Sequence, residues 1–331
     1  MKIKKIISNK KKKFFRQKKI KTKINCSTPK KVKSFKYIFI FIMLLYLMTL
    51  RTPLKRRTFD EFKPHKVFIE AHRGVNTLKF QNTKESIELA IKYGLDSVET
   101  DLWLSKDNVG VLVHARRSGE LNQLYQNTNY RVFLTNWTEL SKLRTKRDNL
   151  PMPKLEDIMI LAKNKIFINL EIKDPRIDIV FPYITNLIEK YDYFNQISLS
   201  SFNHNYYKKI VEYNQNNTFK NKLSFGFIYH EGSHMGMYNF NLKKTSLNLY
   251  WKSVTKNVCD KAHANGMAVF AWFYVGENEN EEIWQRLFDC GIDIICSNFP
   301  LKAKKFRNKY YIQKSYKDFM RKFFYLSDFI L

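Results

Sequence analysis

From residue 67 onward, short runs of β-branched and aromatic residues alternate with longer stretches in which apolar positions recur at helical spacing. Such short runs are typical of strands buried in a parallel sheet, and the longer stretches are typical of the helices that cover it. The predicted strands are Val67–Ala71, Ser97–Trp103, Ile166–Ile172, Gln196–Ser200, Leu223–Tyr229, Ser246–Tyr250, Met267–Phe273 and Ile292–Cys296. Eight strands with intervening helices predict an α/β fold, a TIM (β/α)8 barrel over residues 67–301.

The stretches between these strands carry helix signals. The predicted helices are Thr83–Tyr93, Ile177–Tyr191, His204–Tyr213, Val254–Asn265 and Glu279–Cys290, and the predicted helix stops are Gly94, Gly266 and Gly291. An extra apolar run, Val109–Val113, overlaps a turn sequence and predicts a hairpin after the second strand. Residues 115–165 then form an insertion that includes a helix, Lys154–Ala162. Residues 302–331 are predicted to form a basic, aromatic C-terminal helix packed on the outside, with membrane-surface contact as the alternative.

The N-terminal part of the chain has a membrane-directed pattern. A basic stretch, residues 1–36, precedes the apolar run Tyr37–Leu50, and basic residues return in the predicted linker, residues 51–66. The run is shorter than the ~20 residues needed to span a bilayer, a gap that snorkelling of flanking basic side chains can close. We expect an uncleaved single-pass anchor, with a cleaved signal peptide and secretion as the second choice. The positive-inside rule then places residues 1–36 in the cytosol and the barrel on the lumenal or extracellular side.

Composition and charge exclude several classes of protein. The 331 residues are 44% hydrophobic and 15% aromatic, which excludes a disordered chain, and four cysteines are too few for a disulfide scaffold. The net charge of +29 is concentrated in residues 1–57, which hold 20 Lys and Arg and no acidic residue, so residues 58–331 carry only +9. The basic tail is expected to be disordered and to contact anionic lipid at a membrane. No recognised motif indicates nucleic acid as a partner.

Acidic residues lie near the carboxyl ends of two predicted strands, at the face that forms the active site in a TIM barrel. Glu99 and Asp101 are two residues apart and therefore point to the same side of their strand, and Glu171 lies at the end of the next barrel strand. Three inward carboxylates repel one another unless a cation joins them, and oxygen ligands favour Mg²⁺ or Ca²⁺. The sequence predicts one divalent metal ion, with salt bridges to Arg73 and Lys173 as the alternative.

Imidazole and basic side chains gather near the same strand ends. His72 and Arg73 follow the first strand, His114 ends the hairpin strand, and Lys173 lies two residues after Glu171. Two histidines beside a metal can divide general-base and general-acid work near neutral pH, and the two cations can hold a phosphate. The set indicates metal-assisted hydrolysis of a phosphate ester.

The order of these motifs resembles the glycerophosphodiester phosphodiesterase family. The similar segments are AHRG (71–74), QNT (81–83), ETD (99–101), VLVHA (111–115), MPKLED (152–157), LEIKD (170–174), SF (201–202), VFAW (269–272) and GIDIICSNFP (291–300). The resemblance therefore covers nearly the whole barrel. It implies a TIM barrel in which the acid/base pair is His72 and His114, the metal ligands are Glu99, Asp101 and Glu171, the phosphate contacts are Arg73 and Lys173, and the pocket wall includes Trp272.

The resemblance also implies an activity, a phosphoric diester hydrolase of lipid metabolism that acts on glycerophosphodiesters or lysophospholipids. Three departures each remove a carboxylate near the mouth, because Gln81, Ala115 and Asn298 stand where the family usually has acidic residues. They leave open a catalytically inactive, membrane-anchored barrel that acts as a binding protein.

One short motif suggests a third class of protein. Residues 230–234, which run from His230 through Glu231 to His234, fit the H-E-x-x-H pattern of zinc metalloproteases. That chemistry requires a helix, so that both histidines share one face. The apolar strand before the motif and Gly232 within it favour a loop instead. We expect this loop at the barrel mouth, where its histidines contact substrate.

Overall fold

The computed structural model describes residues 66–217, 222–242 and 245–327, with side chains described as far as residue 316. All of them belong to Arg56–Leu331, the second of the two units into which the chain divides. The predicted basic tail, the apolar run Tyr37–Leu50 and all but the last residue of the linker lie outside the described residues. Within the described ranges, no helix has the length and apolar character that crossing a membrane requires.

One sheet organises the described part of the chain. Its strands are β1 (Phe68–Ala71), β2 (Ser97–Leu104), β3 (Gly110–Leu112), β4 (Phe167–Ile172), β5 (Ile197–Ser201), β6 (Phe225–Ile228), β7 (Thr245–Tyr250), β8 (Ala268–Trp272) and β9 (Ile294–Ser297). All except β3 are parallel, in the order β1-β2-β4-β5-β6-β7-β8-β9, and pairing of β9 with β1 closes the ring. Strand β3 pairs antiparallel with β2, with Leu112 opposite Leu102. The predicted eight-stranded TIM-like barrel is therefore confirmed.

Helices connect the strands and cover the outside of the barrel. They are α1 (Lys84–Lys92), α2 (Trp137–Leu140), α3 (Leu155–Ala162), α4 (Ile177–Lys190), α5 (Tyr206–Asn216), α6 (Lys256–Ala264), α7 (Glu281–Cys290) and α8 (Pro300–Ser327), with 3₁₀ turns at Val132–Leu134, Met235–Met237 and Trp251–Ser253. Local signals explain where several of them begin and end. Helix α1 starts after Thr83, whose side chain accepts a hydrogen bond from the Ser86 N–H in a capping box. Helix α7 ends at Gly291, which has a φ of 89°.

The core lies between the barrel wall and the helices. One apolar cluster includes buried side chains from every barrel strand and from helices α1 and α3 to α8, as expected when both faces of a parallel sheet are covered. A second cluster, around Trp103, Tyr125 and Leu140, packs the insertion against β2. The insertion therefore has a small core of its own beside the barrel mouth.

Helix α8 is attached to the amino-terminal ends of β1 and β2. Arg307 is buried, donates a hydrogen bond to the carbonyl of Val67 at 3.0 Å and forms an ion pair with Asp96. The hydroxyl of Tyr311 accepts a hydrogen bond from the Val67 N–H at 2.9 Å. These contacts lie at the end of the barrel opposite to the strand ends that carry the predicted site.

Candidate active site

The turn after β1 brings a backbone N–H to a buried carboxylate. Arg73 has a φ of 59°, in the left-handed region, and its N–H donates to Oε2 of Glu99 at 3.0 Å. Gly74 has a φ of 80°, and a Cβ built on it would lie 2.3 Å from Oγ of Ser86. Only glycine fits at this close approach to the start of α1. The turn is thereby fixed in a conformation that directs His72 and Arg73 to the barrel mouth.

Three carboxylates meet at the carboxyl ends of β2 and β4. Glu99, Asp101 and Glu171 are all buried, and each offers an oxygen such that the three atoms lie within 4.8 Å of one another. Parallel pairing of β2 with β4 sets Asp101 directly beside Glu171, and the two-residue spacing sets Glu99 on the same face. The structure thus brings together the three residues that the sequence predicted as metal ligands.

The carboxylates are held in an electrostatically unfavourable arrangement. Burial, followed by the negative charges of Asp101 and Glu171, raises the pKa of Glu99 well above its usual value. Burial also raises the pKa of Glu171, against the opposing charge of Lys173. Burial acts in the same direction on Asp101, but His114 and Lys173 outweigh it, so the pKa of Asp101 is lowered. A positive charge bound at Glu99 would offset this repulsion between the buried carboxylates.

The donor set fits a hard divalent cation. Oε1 of Glu99 is buried and accepts no hydrogen bond from any described residue. A buried, unpartnered carboxylate oxygen beside two further carboxylates is costly unless a cation binds it. Oxygen donors of this kind suit Mg²⁺ or Ca²⁺. Glu99, Asp101 and Glu171 are the residues that would hold the ion.

The two predicted phosphate-binding cations contact this cluster. Nε of Arg73 lies 3.3 Å from Oδ2 of Asp101, and Nζ of Lys173 lies 3.4 Å from Oδ1 of Asp101 and 2.5 Å from Oε1 of Glu171. Burial lowers the pKa of Lys173, but Glu171 and Asp101 outweigh that effect and raise it, so the ammonium stays charged. The salt bridges considered as the alternative to a metal are therefore present, yet they leave Oε1 of Glu99 without a partner among the described residues.

Residues 81–83 support the cluster from the side of α1. Nδ2 of Asn82 donates to Oδ2 of Asp101 at 2.7 Å, and Oδ1 of Asn82 accepts from the Asp101 N–H at 3.1 Å. Oε1 of Gln81 accepts a hydrogen bond from Nη1 of Arg73 at 2.6 Å. Gln81 therefore keeps a contact with the arginine although it carries no charge.

The two histidines lie in the same site as neutral imidazoles. Burial, and then the charge of Arg73, lowers the pKa of His72 well below its usual value. Burial lowers the pKa of His114 to about 3. Nε2 of His72 lies 3.9 Å from Oε2 of Glu99, so this nitrogen faces the carboxylate cluster.

The other two departures from the family pattern differ in position. Asn298 follows β9 and lies beside His72, where Glu279 accepts its backbone N–H at 2.7 Å. Ala115 is buried in the apolar cluster of the insertion together with Trp103. The side chain of Ala115 thus packs among apolar groups in this chain, and the expectation that it removes a carboxylate from the mouth stays a prediction.

A cavity of about 230 Å³ opens at the carboxyl ends of the strands. One side of it is polar and is lined by His72, Arg73, Glu99, His114, Glu171 and Lys173. The other side is aromatic and is lined by Phe202, His230, Trp272 and Tyr274. Trp272, the predicted wall residue, thus lies on the aromatic side.

Sequence reasoning missed several residues of this cavity, of which Glu70 is the clearest. Glu70 is buried, lines the cavity and accepts hydrogen bonds from Nδ2 of Asn169 and Oγ of Ser97, both at 3.0 Å. Burial raises the pKa of its carboxyl. It lies two residues before His72, so the two-residue period of the strand already contained the signal that would have found it.

The H-E-x-x-H pattern lies in a turn, as its glycine indicated. Gly232 has a φ of 83°, and the carbonyl of His230 accepts the Ser233 N–H at 3.2 Å. His230 lines the cavity and stacks on Phe202 with ring centroids 4.4 Å apart, whereas His234 is exposed. Without a helix, the two histidines do not form the zinc site of a metalloprotease.

Comparisons with known proteins agree with this geometry. Residues 72–302 match the model of the Glycerophosphoryl diester phosphodiesterase family. A glycerophosphodiester phosphodiesterase of Caldanaerobacter subterraneus subsp. tengcongensis is 24% identical over 252 residues, which cover 71% of this chain and 95% of that protein.

Solved structures share the same barrel. A candidate glycerophosphodiester phosphodiesterase from Galdieria sulphuraria has a TM-score of 0.64 and 21% identity, covering 74% of this chain and 99% of that chain. A phosphodiesterase from Oleispira antarctica, in complex with the product sn-glycerol-3-phosphate, has a TM-score of 0.60 and 20% identity, covering 73% of this chain and 96% of that chain.

Proposed function

The chain belongs to the glycerophosphoryl diester phosphodiesterase family and is a phosphoric diester hydrolase, and on that basis we propose that it hydrolyses glycerophosphodiesters of small alcohols in a reaction that depends on a divalent metal. One observation carries the proposal. Two carboxylates, two neutral imidazoles and two cations line a single cavity at the carboxyl ends of the barrel strands, and the third carboxylate, Asp101, is buried directly beside them. This is the inventory that phosphodiester hydrolysis needs, namely metal ligands, proton carriers and phosphate contacts.

The carboxylates and the cations bind and orient the phosphodiester. Glu99, Asp101 and Glu171 would hold the divalent ion, which when bound would supply a fixed positive charge that polarises the phosphate. Arg73 and Lys173 bind further phosphate oxygens, the arginine through its planar fork and the lysine as a point charge. Both are held in place by their contacts with the carboxylate cluster, and Arg73 also by its hydrogen bond to Gln81.

The two imidazoles move the protons. Nδ1 of His72 is engaged by Asn298 at 2.8 Å, so Nε2 accepts the proton of the attacking hydroxyl, whether of water or of the substrate glycerol. His114 is the remaining imidazole on the cavity wall. The negative charge of a bound phosphate raises the pKa of a neighbouring imidazole, which prepares His114 to protonate the leaving alcohol.

The size of the cavity favours small substrates over lysophospholipids. Its volume of about 230 Å³ is below the ~300–1,000 Å³ of pockets that enclose drug-sized ligands. A glycerophosphodiester of a small alcohol fits such a space, whereas an acyl chain has to extend out of the mouth. The Oleispira antarctica phosphodiesterase holds sn-glycerol-3-phosphate, which supports a glycerol phosphate moiety in the substrate.

The test is a turnover assay with the full chain. After chelation, the protein is assayed on glycerophosphocholine and on lysophosphatidylcholine, with Mg²⁺ or Ca²⁺ added back and with His72→Ala as the control. We expect metal-restored release of the alcohol from glycerophosphocholine, slower turnover of lysophosphatidylcholine and no turnover by the control. Binding of glycerophosphocholine without turnover under all conditions would instead support the inactive binding barrel.

We also propose that Tyr37–Leu50 anchors the protein in a membrane with the barrel on the lumenal or extracellular side. The proposal is supported by the basic–apolar–basic order of residues 1–66 and by the exposed sequon asparagine Asn136, which begins Asn-Trp-Thr. The full chain is expected to stay in the membrane pellet after alkaline carbonate extraction and to carry a glycan that is lost in Asn136→Gln. Release into the supernatant would contradict the anchor.

A further inference from the structure

The mouth of the cavity carries aromatic side chains that the reaction described above does not use. We call Tyr250, Trp272 and Tyr274 the aromatic corner; the first two end strands β7 and β8, and the third lies two residues after Trp272. The rings of Trp272 and Tyr274 are 4.9 Å apart at 87°, and the ring of Tyr250 lies 5.3 Å from each of them. Trp272 and Tyr274 line the cavity, and Tyr274 is 45% exposed, so a ligand can reach their rings.

Two carboxylates flank the aromatic corner. Glu277 accepts hydrogen bonds from the Tyr274 N–H at 2.9 Å, from the indole of Trp251 at 3.3 Å and from the hydroxyl of Tyr250. In addition to burial, the negative charges of Glu231 and Glu277 raise the pKa of Tyr274. The corner therefore combines accessible aromatic faces with nearby negative charge.

The neighbouring cationic side chains do not cover the rings of the aromatic corner that line the cavity. Nζ of Lys252 lies 5.6 Å from the ring centroid of Tyr250, which is not among the residues that line the cavity. In the described ranges, no lysine or arginine lies over the ring of Trp272 or Tyr274. Aromatic faces beside carboxylates attract a cation, and a quaternary ammonium group above all.

The aromatic corner also faces the phosphate-binding side of the mouth. In the ring of strands, β7 and β8 are separated from β2 and β4 by two strands on either side. A second aromatic pair, Phe202 and His230, lies closer to the cations, with Nζ of Lys173 only 5.4 Å from the ring centroid of Phe202. The mouth thus offers two cations for a phosphate on one side and accessible aromatic faces beside Glu277 on the other, an arrangement that matches a zwitterion.

We propose that the aromatic corner binds the cationic headgroup of a zwitterionic glycerophosphodiester, one whose alcohol carries a trimethylammonium or ammonium group. The inference rests on the proposed function, because it assigns the alcohol side of the same substrate. Tyr274 offers its exposed ring to the cation. Glu277 supplies charge and holds both Tyr274 and Tyr250 in position.

The test compares substrates that differ only in the headgroup. With the full chain and added metal, kcat/KM is measured on glycerophosphocholine, on glycerophosphoethanolamine and on glycerophosphoglycerol, whose headgroup is neutral. We expect wild type to prefer the two cationic substrates by about tenfold, the size of a partly desolvated cation–π contact. Tyr274→Leu is expected to abolish most of that preference, Tyr274→Phe to retain it and Glu277→Gln to lower it about threefold.

A matched control and a binding measurement separate the possible failures. Tyr93→Leu removes a ring that is 41% exposed at the end of α1 and is not among the residues that line the cavity, and it is expected to leave the preference ratio unchanged. Equal losses on all three substrates in Tyr274→Leu would overturn the headgroup proposal while the phosphodiesterase reaction stands. If wild type turns over none of them, the proposed function fails, and the headgroup proposal is tested by titration with choline followed by tryptophan fluorescence. Saturable binding that Tyr274→Leu abolishes supports the headgroup proposal. No saturation overturns it.

Discussion

Nδ1 of His72 lies 2.8 Å from Oδ1 of Asn298, 226 positions later in the chain. Two further contacts fix the orientation of that amide. Nδ2 of Asn298 donates to the carbonyl of Tyr274 at 2.8 Å, and Oδ1 of Asn298 accepts from Nδ2 of Asn76 at 3.2 Å. An acceptor oxygen facing Nδ1 requires the proton to be on Nδ1, which leaves the lone pair of His72 on Nε2. A neutral asparagine can therefore set the tautomer that a general base needs.

The first prediction concerns this tautomer. Asn298→Leu removes the acceptor while keeping a side chain of similar size, and we expect kcat to fall about 10- to 100-fold, within the range of general-base contributions. Asn298→Asp keeps the acceptor and adds a negative charge, which raises the pKa of His72. Because a base acts only when deprotonated, the acidic limb of the pH–rate profile should then move to higher pH. An Asn298→Leu enzyme with wild-type kcat would show that the contact with Asn298 has no catalytic role.

The second prediction concerns Glu99, whose Oε1 accepts no hydrogen bond from the described residues. Its pKa is raised in the folded protein, so folding loses stability as the pH rises from the unfolded pKa of about 4.3 towards the higher folded value. In metal-free protein at pH 8, Glu99→Gln should therefore unfold at a higher temperature than wild type, and the difference should disappear below about pH 4. The measurement is a thermal melt over a series of pH values.

The same variant should lose stabilisation by metal. A ligand at about 100 times its Kd stabilises a folded protein by about 2.7 kcal/mol, so Mg²⁺ or Ca²⁺ should raise the melting temperature of wild type by several degrees. Glu99→Gln should lose most of this shift and all turnover. Glu88→Gln is the matched control, since Glu88 is exposed on α1 and its ion-pair partner in the described part of the chain is Lys84, at 3.7 Å. Equal metal shifts in wild type and Glu99→Gln would contradict the assigned ligand set.

The third prediction concerns stability far from the site. Nε2 of His263 on α6 lies 2.8 Å from Oδ2 of Asp293, and this hydrogen bond raises the pKa of His263. A histidine whose pKa is raised on folding adds stability below its unfolded pKa of about 6.5, and that stability is lost as the pH rises through the folded pKa. His263→Gln should therefore lower the free energy of unfolding more at pH 5.5 than at pH 8.5, as measured by urea unfolding. An equal loss at both pH values would mean that the ion pair contributes nothing.

The barrel could be predicted from the sequence because each strand is a short, continuous buried run. Strand β4, predicted as Ile166–Ile172, differs from the observed Phe167–Ile172 by one residue. The predicted ends of helices are less accurate where the sequence has no clear helix-stop residue. Helix α5 was predicted to end at Tyr213 and runs to Asn216, because no glycine or proline stops it there.

Only those features of the candidate site that depend on the spacing of residues within one strand could be predicted from the sequence. The two-residue spacing of Glu99 and Asp101 was enough to place both carboxylates on one face of β2. The contact between His72 and Asn298 was not predictable, because it depends on closure of the ring between β9 and β1. The packing of Ala115 was not predictable from the sequence either, because it depends on how the insertion folds onto β2.

The last prediction tests the turn that connects β1 to the carboxylate cluster. Gly74→Ala would place a Cβ 2.3 Å from Oγ of Ser86 at a φ of 80°, so it combines overpacking with backbone strain, and we expect a loss of about 2–5 kcal/mol in the free energy of unfolding. Gly266→Ala is the matched control, because Gly266 has a similar φ of 71° but, its chain neighbours aside, no heavy atom of the described residues lies within 4 Å of the built Cβ. Backbone strain alone should cost about 1–2 kcal/mol there.

The two glycine variants should also differ in metal binding. Moving the turn displaces the Arg73 N–H from Oε2 of Glu99, so Gly74→Ala should weaken metal binding even at temperatures where it remains folded. Gly266→Ala, which lies after α6, should bind metal as wild type does. Urea unfolding gives the stabilities, and isothermal titration with Mg²⁺ or Ca²⁺ gives the affinities. If both variants lost the same stability and kept the same affinity, the close approach of Gly74 to α1 would have no part in shaping the site.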